Sequence, residues 1–390
     1  TLEENGYQAY LVGGFVRDYL LGITSHDADI ATNALPKDIH NIFNSSKSNY
    51  GSVNIKFDNY NIDITTFRKD LNYVNRRPSN VIYIDNLEED LKRRDFTINA
   101  ICMDKDDKII DPLNGCEDLN NRTIKMIGDI DTKLEEDPLR IMRAIRFASV
   151  LDFDIDKKLY EKIKKYSHLV ETLSKERIKS ELEKILLSKN FMKALKIMED
   201  TNIASSLGIS YSHINYVDDL LGMWAQVKVA NIPFTNVEKG NIIKITEVIT
   251  LGQIDNLALY NYGLYVCTIA GKILNINPKK ISKMYNNLPI KSKSDINITS
   301  KEISDIFGTG KVIGIIYSEL EKEILNKNIE KKSLYIEADN INKSYILCVA
   351  GPCSKIINSD IFKKNDIKFL EGNIYEDLAI IPTLALYSNK

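Results

Sequence analysis

The sequence predicts an α+β protein, with a small mixed-sheet head followed by an all-helical remainder. Two observations carry this prediction. Up to about residue 130, short apolar segments with strand character alternate with helical stretches; from about Glu135 onwards, apolar residues recur at helical spacing. The chain of 390 residues is long enough for two or more domains. Its composition, 44% apolar and 27% charged, is that of globular proteins and excludes wholesale disorder.

The elements of the head follow from local signals. In chain order we expect a strand at 10–12, a helix at 16–21, a strand at 29–32, a helix at 36–43 and two strands at 53–57 and 61–67. Pro36 favours the first turn of a helix. The last two segments alternate apolar and polar residues with period two, as half-buried antiparallel strands do, and Asp58-Asn59 suits the turn between them.

The remainder is expected to be helical and locally basic. Leu139, Ile145 and Ala148, and later Ile178 and Leu182, represent the helical spacing of its apolar residues. Residues 156–200 carry 12 Lys or Arg against 8 Asp or Glu, and residues 271–333 carry 12 against 7. Such stretches favour a polyanionic partner, although solvated helix faces would look the same.

Charge and cysteine usage exclude several classes of protein. The formal net charge of −2 excludes a strongly basic RNA wrapper but leaves room for a local basic patch. No apolar run approaches the roughly 20 residues of a membrane helix, so no membrane partner is expected. The five scattered cysteines support neither a disulfide framework nor a zinc site and indicate a cytoplasmic protein with reduced thiols.

Three carboxylates in the head are candidates for metal-assisted phosphoryl chemistry. Asp27 and Asp29 lie two residues apart on a strand and therefore share a face, and Asp63 lies on another strand. Mg²⁺ commonly combines a few carboxylates with substrate phosphates, and two such ions can bridge a nucleophile and a leaving group. The preceding Gly13-Gly14 turn and Arg17 suit phosphate binding at a helix start.

Four ordered motifs make a family resemblance specific. They are residues 11–18 with Asp27-Ala-Asp29, residues 93–100 (RRDFTINA), residues 136–147 (EDPLRIMRAIRF) and residues 174–178 (SKERI). The chain resembles bacterial class II tRNA nucleotidyltransferases, the family of CCA-adding enzymes and bacterial poly(A) polymerases. The resemblance covers roughly residues 5–335. It implies a polymerase-β-like catalytic head and an elongated helical C-terminal half.

The resemblance also implies roles for individual residues. Asp27 and Asp29 match the ligands of two Mg²⁺ ions, and Asp63 matches a third catalytic carboxylate. The positions that match nucleotide contacts are Gly14, Arg17, Arg94, Asp95, Asp137, Arg140, Arg143 and Arg146. The implied reaction is template-independent addition of CMP and AMP, from CTP and ATP, to the 3′ end of tRNA. The implied partner is the acceptor and TΨC arm of tRNA, with no DNA partner.

Asp137 and Arg140 are expected to read the nucleobase. Three apart at the start of a helix, their side chains should leave it on one face, with Arg143 and Arg146 extending the cationic row. Cytosine and adenine each present an amino donor beside a ring-nitrogen acceptor, which a carboxylate paired with a guanidinium can satisfy. Without the other motifs, a helix N-cap at Asp137 and a surface charge at Arg140 would be the favoured interpretation.

Several alternatives stay open at this level. Poly(A) polymerases share the catalytic motifs, and some bacteria use an enzyme that adds only A. Residues 67–78 resemble the flexible loop retained in full CCA-adding enzymes, which favours complete CCA addition. A third alternative, from another class, is a non-catalytic tRNA-binding module of the same fold, which would be expected to have lost a metal carboxylate.

The sequence suggests four segments. They are a catalytic head at 1–130, a helical neck for nucleobase recognition at 131–200, a helical tRNA-binding body and tail at 201–340, and an appendage at 341–390. Within the appendage, residues 351–355 and 371–377 weakly resemble the acceptor half of a family 2 glycosyltransferase. Because the nucleotide-sugar half of that fold is missing from the sequence, we assign this segment no activity.

Overall fold

The computed structural model of the chain describes residues 1–44, 48–49, 52–74, 77–296, 298–307, 309–326, 345–348 and 355–358. The chain forms two compact units, Thr1–Lys239 and Gly240–Lys390.

The first unit is built on a seven-stranded mixed sheet. Its strands, in chain order, are β1 (Ala9–Val12), β2 (Asp27–Thr32), β3 (Ser48–Asn49), β4 (Ser52–Phe57), β5 (Tyr60–Thr66), β8 (Cys102–Met103) and β9 (Ile109–Ile110). The spatial order is β3-β4-β5-β2-β1-β8-β9. β2 and β5 run parallel, whereas β1 and β4 run antiparallel to these neighbours. The two strands that carry the candidate carboxylates are therefore adjacent.

The two faces of this sheet differ in character because side chains alternate along each strand. One face carries Val53 and Ile64, which pack with Ile39 of the helix Pro36–Phe43 into a buried apolar cluster. The other face carries Asp29 and Asp63, which are direct partners across β2 and β5. The sheet thus buries one face and presents the carboxylates on the other.

Six α-helices and further short strands complete the part of the first unit that surrounds this sheet. The helices are α1 (Gly14–Leu20), α2 (Pro36–Phe43), α3 (Leu87–Lys92), α4 (Gly115–Asn120), α5 (Ile130–Glu136) and α6 (Leu139–Val150). The strands β6 (Arg68–Val74) and β7 (Arg77–Tyr83) pair antiparallel, and β10 (Thr123–Ile124) pairs in parallel with β11 (Asp154–Ile155).

The rest of the first unit is helical. Its helices are α7 (Lys157–Tyr166), α8 (Lys175–Leu186), α9 (Phe191–Asp200), α10 (Ile203–Leu207) and α11 (Leu220–Trp224). α6 is the centre of this packing because it contacts both α8 and α9. Ile141, Ile145 and Ala148 of α6 are fully buried, as their spacing along the sequence predicts.

The second unit is also mainly helical. Its described helices are α12 (Asn236–Leu251, which begins in the first unit), α13 (Asn256–Ile273), α14 (Pro278–Asn286), α15 (Ser300–Phe307) and α16 (Lys311–Leu325). α13 bends at Gly263, which has φ 79°. The strands β12 (Tyr345–Cys348) and β13 (Lys355–Asn358) pair antiparallel.

The observed architecture confirms the α+β fold with a mixed-sheet head and a helical remainder. One detail differs, because residues 67–78, expected as a loop, contain β6 and the start of β7. The appendage motifs at 351–354 and 371–377 lie outside the described residues. Among the described helices, none combines the length and the apolar character that crossing a membrane requires.

Candidate active site

The turn between β1 and α1 needs glycine for two reasons. Gly13 adopts φ 77°, a conformation that residues with a side chain rarely adopt. A Cβ atom at this position would also lie 3.1 Å from Oδ2 of Asp29 and 3.4 Å from Nη1 of Arg94. The turn therefore brings the backbone against the carboxylate and the guanidinium, and leaves little room for a side chain at position 13.

Three carboxylates form a row on the polar face of the sheet, which we call the carboxylate row (Asp27, Asp29 and Asp63). Asp29 and Asp63 are direct partners in the register of β2 and β5, and Asp27 lies two residues before Asp29. Burial by neighbouring atoms raises the pKa of Asp29, the charges of Asp63 and Asp27 raise it further, and Arg94 opposes them. The row thus concentrates negative charge that a cation would stabilise.

Each outer carboxylate of the row is held by an asparagine. Nδ2 of Asn61 donates to Oδ1 of Asp27 at 2.9 Å, and Nδ2 of Asn54 donates to Oδ1 of Asp63 at 3.0 Å. Within the described part of the chain, no three His, Cys, Asp or Glu side chains converge closely enough to form a metal centre. The row supplies the hard oxygen donors that Mg²⁺ prefers, and Mg²⁺ usually adds substrate phosphates and water to one or two carboxylates.

Beside Asp29 opens a cleft of about 600 Å³ that is rich in guanidinium groups. Its charged lining consists of Arg17, Arg93, Arg94, Arg140, Arg143, Arg146, Arg177, Asp29, Asp95 and Asp137. Gly13, Gly14, Asn99, Leu139 and Phe147 complete the lining. Because seven arginines and three aspartates line the cleft, its net charge is positive and favours the binding of a polyanion.

Arg17 and Asp95 are joined through Asn99. Nη1 of Arg17 donates to Oδ1 of Asn99 at 2.6 Å, and Nδ2 of Asn99 donates to Oδ1 of Asp95 at 3.0 Å. Asp18 holds the other side of the Arg17 guanidinium, at 2.7 Å and 2.9 Å. Asn99, which lies 82 positions further along the sequence, thereby fixes the mostly buried side chain of Arg17.

Asp95 is also the anchor of Arg143. Nε and Nη2 of Arg143 lie 2.6 Å and 2.5 Å from Oδ2 of Asp95, and the backbone N–H of Phe96 donates to its Oδ1 at 2.8 Å. Burial works to raise the pKa of Asp95, but Arg143, Asn99 and the Phe96 amide together lower it below its ordinary value. Asp95 is therefore ionised, and both of its carboxylate oxygens already accept hydrogen bonds from within the protein.

Phe147 collects three guanidinium groups around one ring. The central carbons of Arg17, Arg143 and Arg146 lie 5.1, 5.4 and 4.2 Å from its centroid. Such contacts attract cations to the negative face of an aromatic ring. The ring thus holds together side chains that would repel one another, and it does so on α6, at the wall of the cleft.

Burial leaves two guanidinium groups of the cleft electrostatically strained. It lowers the pKa of Arg94, with a further contribution from Arg93, while Asp90 and Asp29 oppose the shift. It likewise lowers the pKa of Arg146, which faces Glu181 at 2.9 Å without hydrogen-bond geometry. A bound polyanion would relieve this unfavourable charge.

Asp137 and Arg140 both line the cleft at the start of α6. Asp137 has an extended conformation, whereas Pro138 already has helical dihedral angles. Oδ1 of Asp137 accepts a hydrogen bond from Leu139 N at 3.2 Å and its carbonyl accepts one from Arg140 N at 3.0 Å, so Asp137 caps the start of the helix. Nη1 of Arg140 donates to the carbonyl of Lys133 at 2.6 Å and to Glu136 at 3.3 Å.

The structure therefore brings most of the expected site residues into one cavity. Gly14, Arg17, Asp29, Arg94, Asp95, Asp137, Arg140, Arg143 and Arg146 line the cleft. Asp27 and Asp63 lie beside it in the carboxylate row. Arg93, Asn99, Phe147 and Arg177 also line it and were not expected. All four lie inside the family motifs at 93–100, 136–147 and 174–178, and membership of these motifs could have indicated them from the sequence.

Family models match the described units in order along the chain. The model described as "Poly A polymerase head domain" matches residues 9–125. Two further models, for an RNA-binding segment of polymerase A and for domain 2 of tRNA nucleotidyltransferases, match residues 152–207 and 223–338. Together these matches include the carboxylate row, the cleft residues up to Asn99 together with Arg177, and most of the helical remainder, but not helix α6.

Similar proteins extend the match over most of the chain. The CCA-adding enzyme of Ligilactobacillus salivarius (strain UCC118) is 36% identical over 375 residues, which cover 86% of this chain and 93% of that protein. The CCA-adding enzyme of Bacillus cytotoxicus is 30% identical over 372 residues, covering 85% and 94%. The crystal structure of the Bacillus stearothermophilus CCA-adding enzyme in complex with CTP superposes with a TM-score of 0.73 at 28% identity, covering 87% of this chain and 95% of that one.

Proposed function

The chain belongs to the family of CCA-adding enzymes, and on this premise we propose that it adds CMP and AMP to the 3′ end of tRNA without a template. The observation that carries the proposal is the junction of the carboxylate row with the arginine-lined cleft at Asp29. The carboxylates would hold metal ions next to the reacting phosphorus, and the guanidinium groups would bind the triphosphate. CTP and ATP are the substrates, in keeping with the related enzyme that was solved with CTP.

The proposed reaction is an in-line nucleotidyl transfer. The 3′ oxygen of the RNA forms a bond to the α-phosphorus of the triphosphate, and the bond from that phosphorus to the bridging oxygen breaks. Pyrophosphate leaves with the electron pair, and the hydroxyl proton passes to a carboxylate of the row or to water. Arg17, Arg94 and Arg143 would hold the triphosphate, whose charge offsets their mutual repulsion.

Metal ions fit the donors of the carboxylate row. Asp27 and Asp29 would hold two Mg²⁺ ions, and Asp63 would orient the 3′ hydroxyl or share an ion, because all three offer carboxylate oxygens on one face. When bound, such ions supply charge neutralisation on the phosphates. Burial is the main cause of the raised pKa of Asp29, with smaller contributions from the charges of Asp63 and Asp27, and a bound cation would favour the ionised form of this carboxylate.

Base selection is assigned to the far wall of the cleft. Asp137 offers carboxylate oxygens and Arg140 a guanidinium anchored on the end of α5, and both line the same cavity. Together they can accept from the amino group and donate to the ring nitrogen of cytosine or adenine. Arg143 and Arg146 would hold this wall in place through Asp95, Glu181 and Phe147.

The helical remainder is proposed to bind tRNA through its acceptor and TΨC arm. Basic residues outnumber acidic ones in 156–200 and in 271–333, which provides positive charge for an A-form backbone. We propose that the catalytic head extends to residue 130, the helical neck to residue 200, and the tRNA-binding body and tail to residue 340. A cytoplasmic location belongs to the proposal, because tRNA is matured there.

Two rival activities are distinguished by the products formed. Poly(A) synthesis or addition of A alone would use the same carboxylates and cleft. The presence of the paired strands β6 and β7 at the position of the family's flexible loop favours full CCA addition. A non-catalytic tRNA-binding module is disfavoured by the intact carboxylate row.

A single gel can test the proposal. Transcripts of tRNA ending before CCA, after CC and after CCA are incubated with the full chain, Mg²⁺, CTP and ATP. We expect three nucleotides to be added to the first, one to the second and none to the third. Extension of the third transcript into a long tail would indicate a poly(A) polymerase, and extension of the second alone would indicate an A-adding enzyme. Failure to extend any transcript would refute nucleotide addition.

A further inference from the structure

The polar face of the sheet continues beyond the carboxylate row, on β4 and β5. Asn54 and Lys56 of β4 lie directly opposite Asp63 and Asn61 of β5, so all four side chains share the face of the row. Asn54, Lys56 and Asn61 are exposed. We call these three residues the amide–lysine patch. No member of the patch lines the arginine cleft.

Asn54 and Lys56 of the patch lie on the opposite side of the row from the cleft, and Asn61 lies beside Asp27. In the order β4-β5-β2-β1, the row occupies β5 and β2, and the cleft begins at Gly13 and Gly14 after β1. Asp29 borders the cleft, whereas Asp63 borders the patch through Asn54. The carboxylates therefore border the arginine-lined cleft on one side. On the other side they border two neutral amides and one lysine.

The chemistry of the proposed reaction requires two such sides. In an in-line transfer, the attacking hydroxyl and the leaving pyrophosphate lie on opposite sides of the reacting phosphorus. If the cleft holds the triphosphate, the nucleotide that carries the hydroxyl must approach from across the row. The amide–lysine patch occupies that side. Its side chains also suit the ligand, since amides bond to ribose hydroxyls and an ammonium group binds phosphate.

The alternation along β4 shows that this polarity is confined to one face. The intervening residues Val53, Ile55 and Phe57 belong to the opposite face, where Val53 is fully buried in the core and Ile55 packs against it. Lys56 forms no ion pair with any side chain of the described ranges, so its charge is available to a ligand. A solvated strand would need neither the two amide–carboxylate hydrogen bonds nor their placement at both outer carboxylates.

We propose that the amide–lysine patch binds the 3′-terminal sugar and phosphate of the RNA that receives the nucleotide. Lys56 contacts a phosphate near the end of the RNA. Asn61 and Asn54 position Asp27 and Asp63 and offer their amide oxygens to the terminal ribose. The inference rests on the proposed function, since it names the subsite for the second substrate of that reaction.

The test uses the full chain and a tRNA transcript that lacks CCA. Lys56→Gln removes the charge, and Asn61→Leu removes the amide while it keeps the same branching and number of side-chain heavy atoms. Lys37→Gln is the matched control, because Lys37 is an exposed lysine on α2, the helix that covers the opposite face of the sheet. The Michaelis constants for RNA and for CTP, and the affinity for RNA by filter binding across a salt series, are measured for each variant.

We expect Lys56→Gln to raise the KM for RNA about three- to fivefold at low salt. The slope of log affinity against log salt should flatten by about 0.7, the value for one phosphate contact on a single strand. The KM for CTP should stay within about twofold of that of the wild type, because the patch does not touch the cleft. For Asn61→Leu we expect a fall in kcat, because Asp27 loses its hydrogen bond.

Two results would overturn the proposal. The patch has no role in RNA binding if Lys56→Gln matches Lys37→Gln in RNA affinity and salt slope. It serves the triphosphate instead if the KM for CTP rises as much as that for RNA. Filter binding needs no turnover, so it tests the patch even if the wild-type chain extends no transcript, an outcome that would refute the proposed function separately.

Discussion

The ion pair between Asp95 and Arg143 should couple the motif at 93–100 to helix α6. The side chain of Asp95 is 11% exposed, and that of Arg143 is 34% exposed. Removing one partner of a fully buried pair costs about 3–5 kcal/mol. Because water reaches a third of Arg143, we reduce this to a coupling of about 2 kcal/mol.

A double-mutant cycle measures that coupling. The variants Asp95→Asn, Arg143→Gln and their combination are compared with the wild type by calorimetric melting. For a unit of the size of Thr1–Lys239, a loss of about 2 kcal/mol should lower the melting temperature by about 4–8 °C. Asp95→Asn alone should show this shift, and the double variant should melt little lower than either single variant.

A second cycle provides the control. Lys92 pairs with Glu88 at 2.9 Å, but their side chains are 47% and 54% exposed. Exposed pairs of this kind contribute little, so these two substitutions should shift melting hardly at all and additively. The reasoning about Asp95 is refuted if its double variant is also additive within about 1 °C.

Three further predictions follow from the same region. Gly115→Ala should lower the melting temperature by several degrees, because its Cβ would overlap the carbonyl oxygen of Thr97; unchanged melting would contradict this packing. Phe147→Leu should raise the KM for CTP about tenfold in a kinetic assay, because three guanidinium groups lose the ring that they contact. Phe147→Tyr keeps a ring and should have a KM close to that of the wild type. Equal KM values for the Leu and Tyr variants would contradict the role of the ring. The stabilisation due to Asp95 should be present above its ordinary pKa of 3.8 and be lost as the pH falls through its lowered folded-state value, so the melting difference between wild type and Asp95→Asn should shrink between pH 7 and pH 3. An equal difference at both values would show that charge is not its cause.

Local signals were sufficient for the elements of the head. Helix α2 has the expected bounds, Pro36–Phe43, because proline starts the helix and the apolar residues that follow recur at helical spacing. The β4–β5 pair was expected from alternation, and its turn places Asp58 at φ 48°. In both cases the determining interactions join residues that are close in sequence.

Long-range contacts were the part that local patterns could not supply. The bridge from Arg17 through Asn99 to Asp95 joins segments about 80 residues apart, and no spacing rule predicts it. The same holds for Arg146 and Glu181, which meet because α6 packs on α8. The family motifs indicated which segments matter, but the three-dimensional packing decides which side chains within them touch.

Base selection is the expectation for which the sequence indicated the local setting but not the role. Asp137 caps the start of α6, as an aspartate before a helical proline suggests, and Arg140 lies in the first turn. Both line the cleft, and their joint role in base reading stays a prediction. Single-nucleotide incorporation with each of the four triphosphates tests it. Arg140→Ala should lose about 10- to 100-fold of the preference for CTP and ATP, and unchanged ratios would place selection elsewhere.

The central claim is that the carboxylate row catalyses nucleotide addition, and Asp29→Ala tests it most directly. The measurement compares this variant with the wild type for CMP incorporation into a tRNA transcript lacking CCA and, in parallel, for affinity to the same transcript. We predict that incorporation is abolished while RNA affinity stays within about twofold, because Asp29 lies on the head and the RNA is held mainly through its phosphates. Near-normal incorporation by Asp29→Ala would contradict the account.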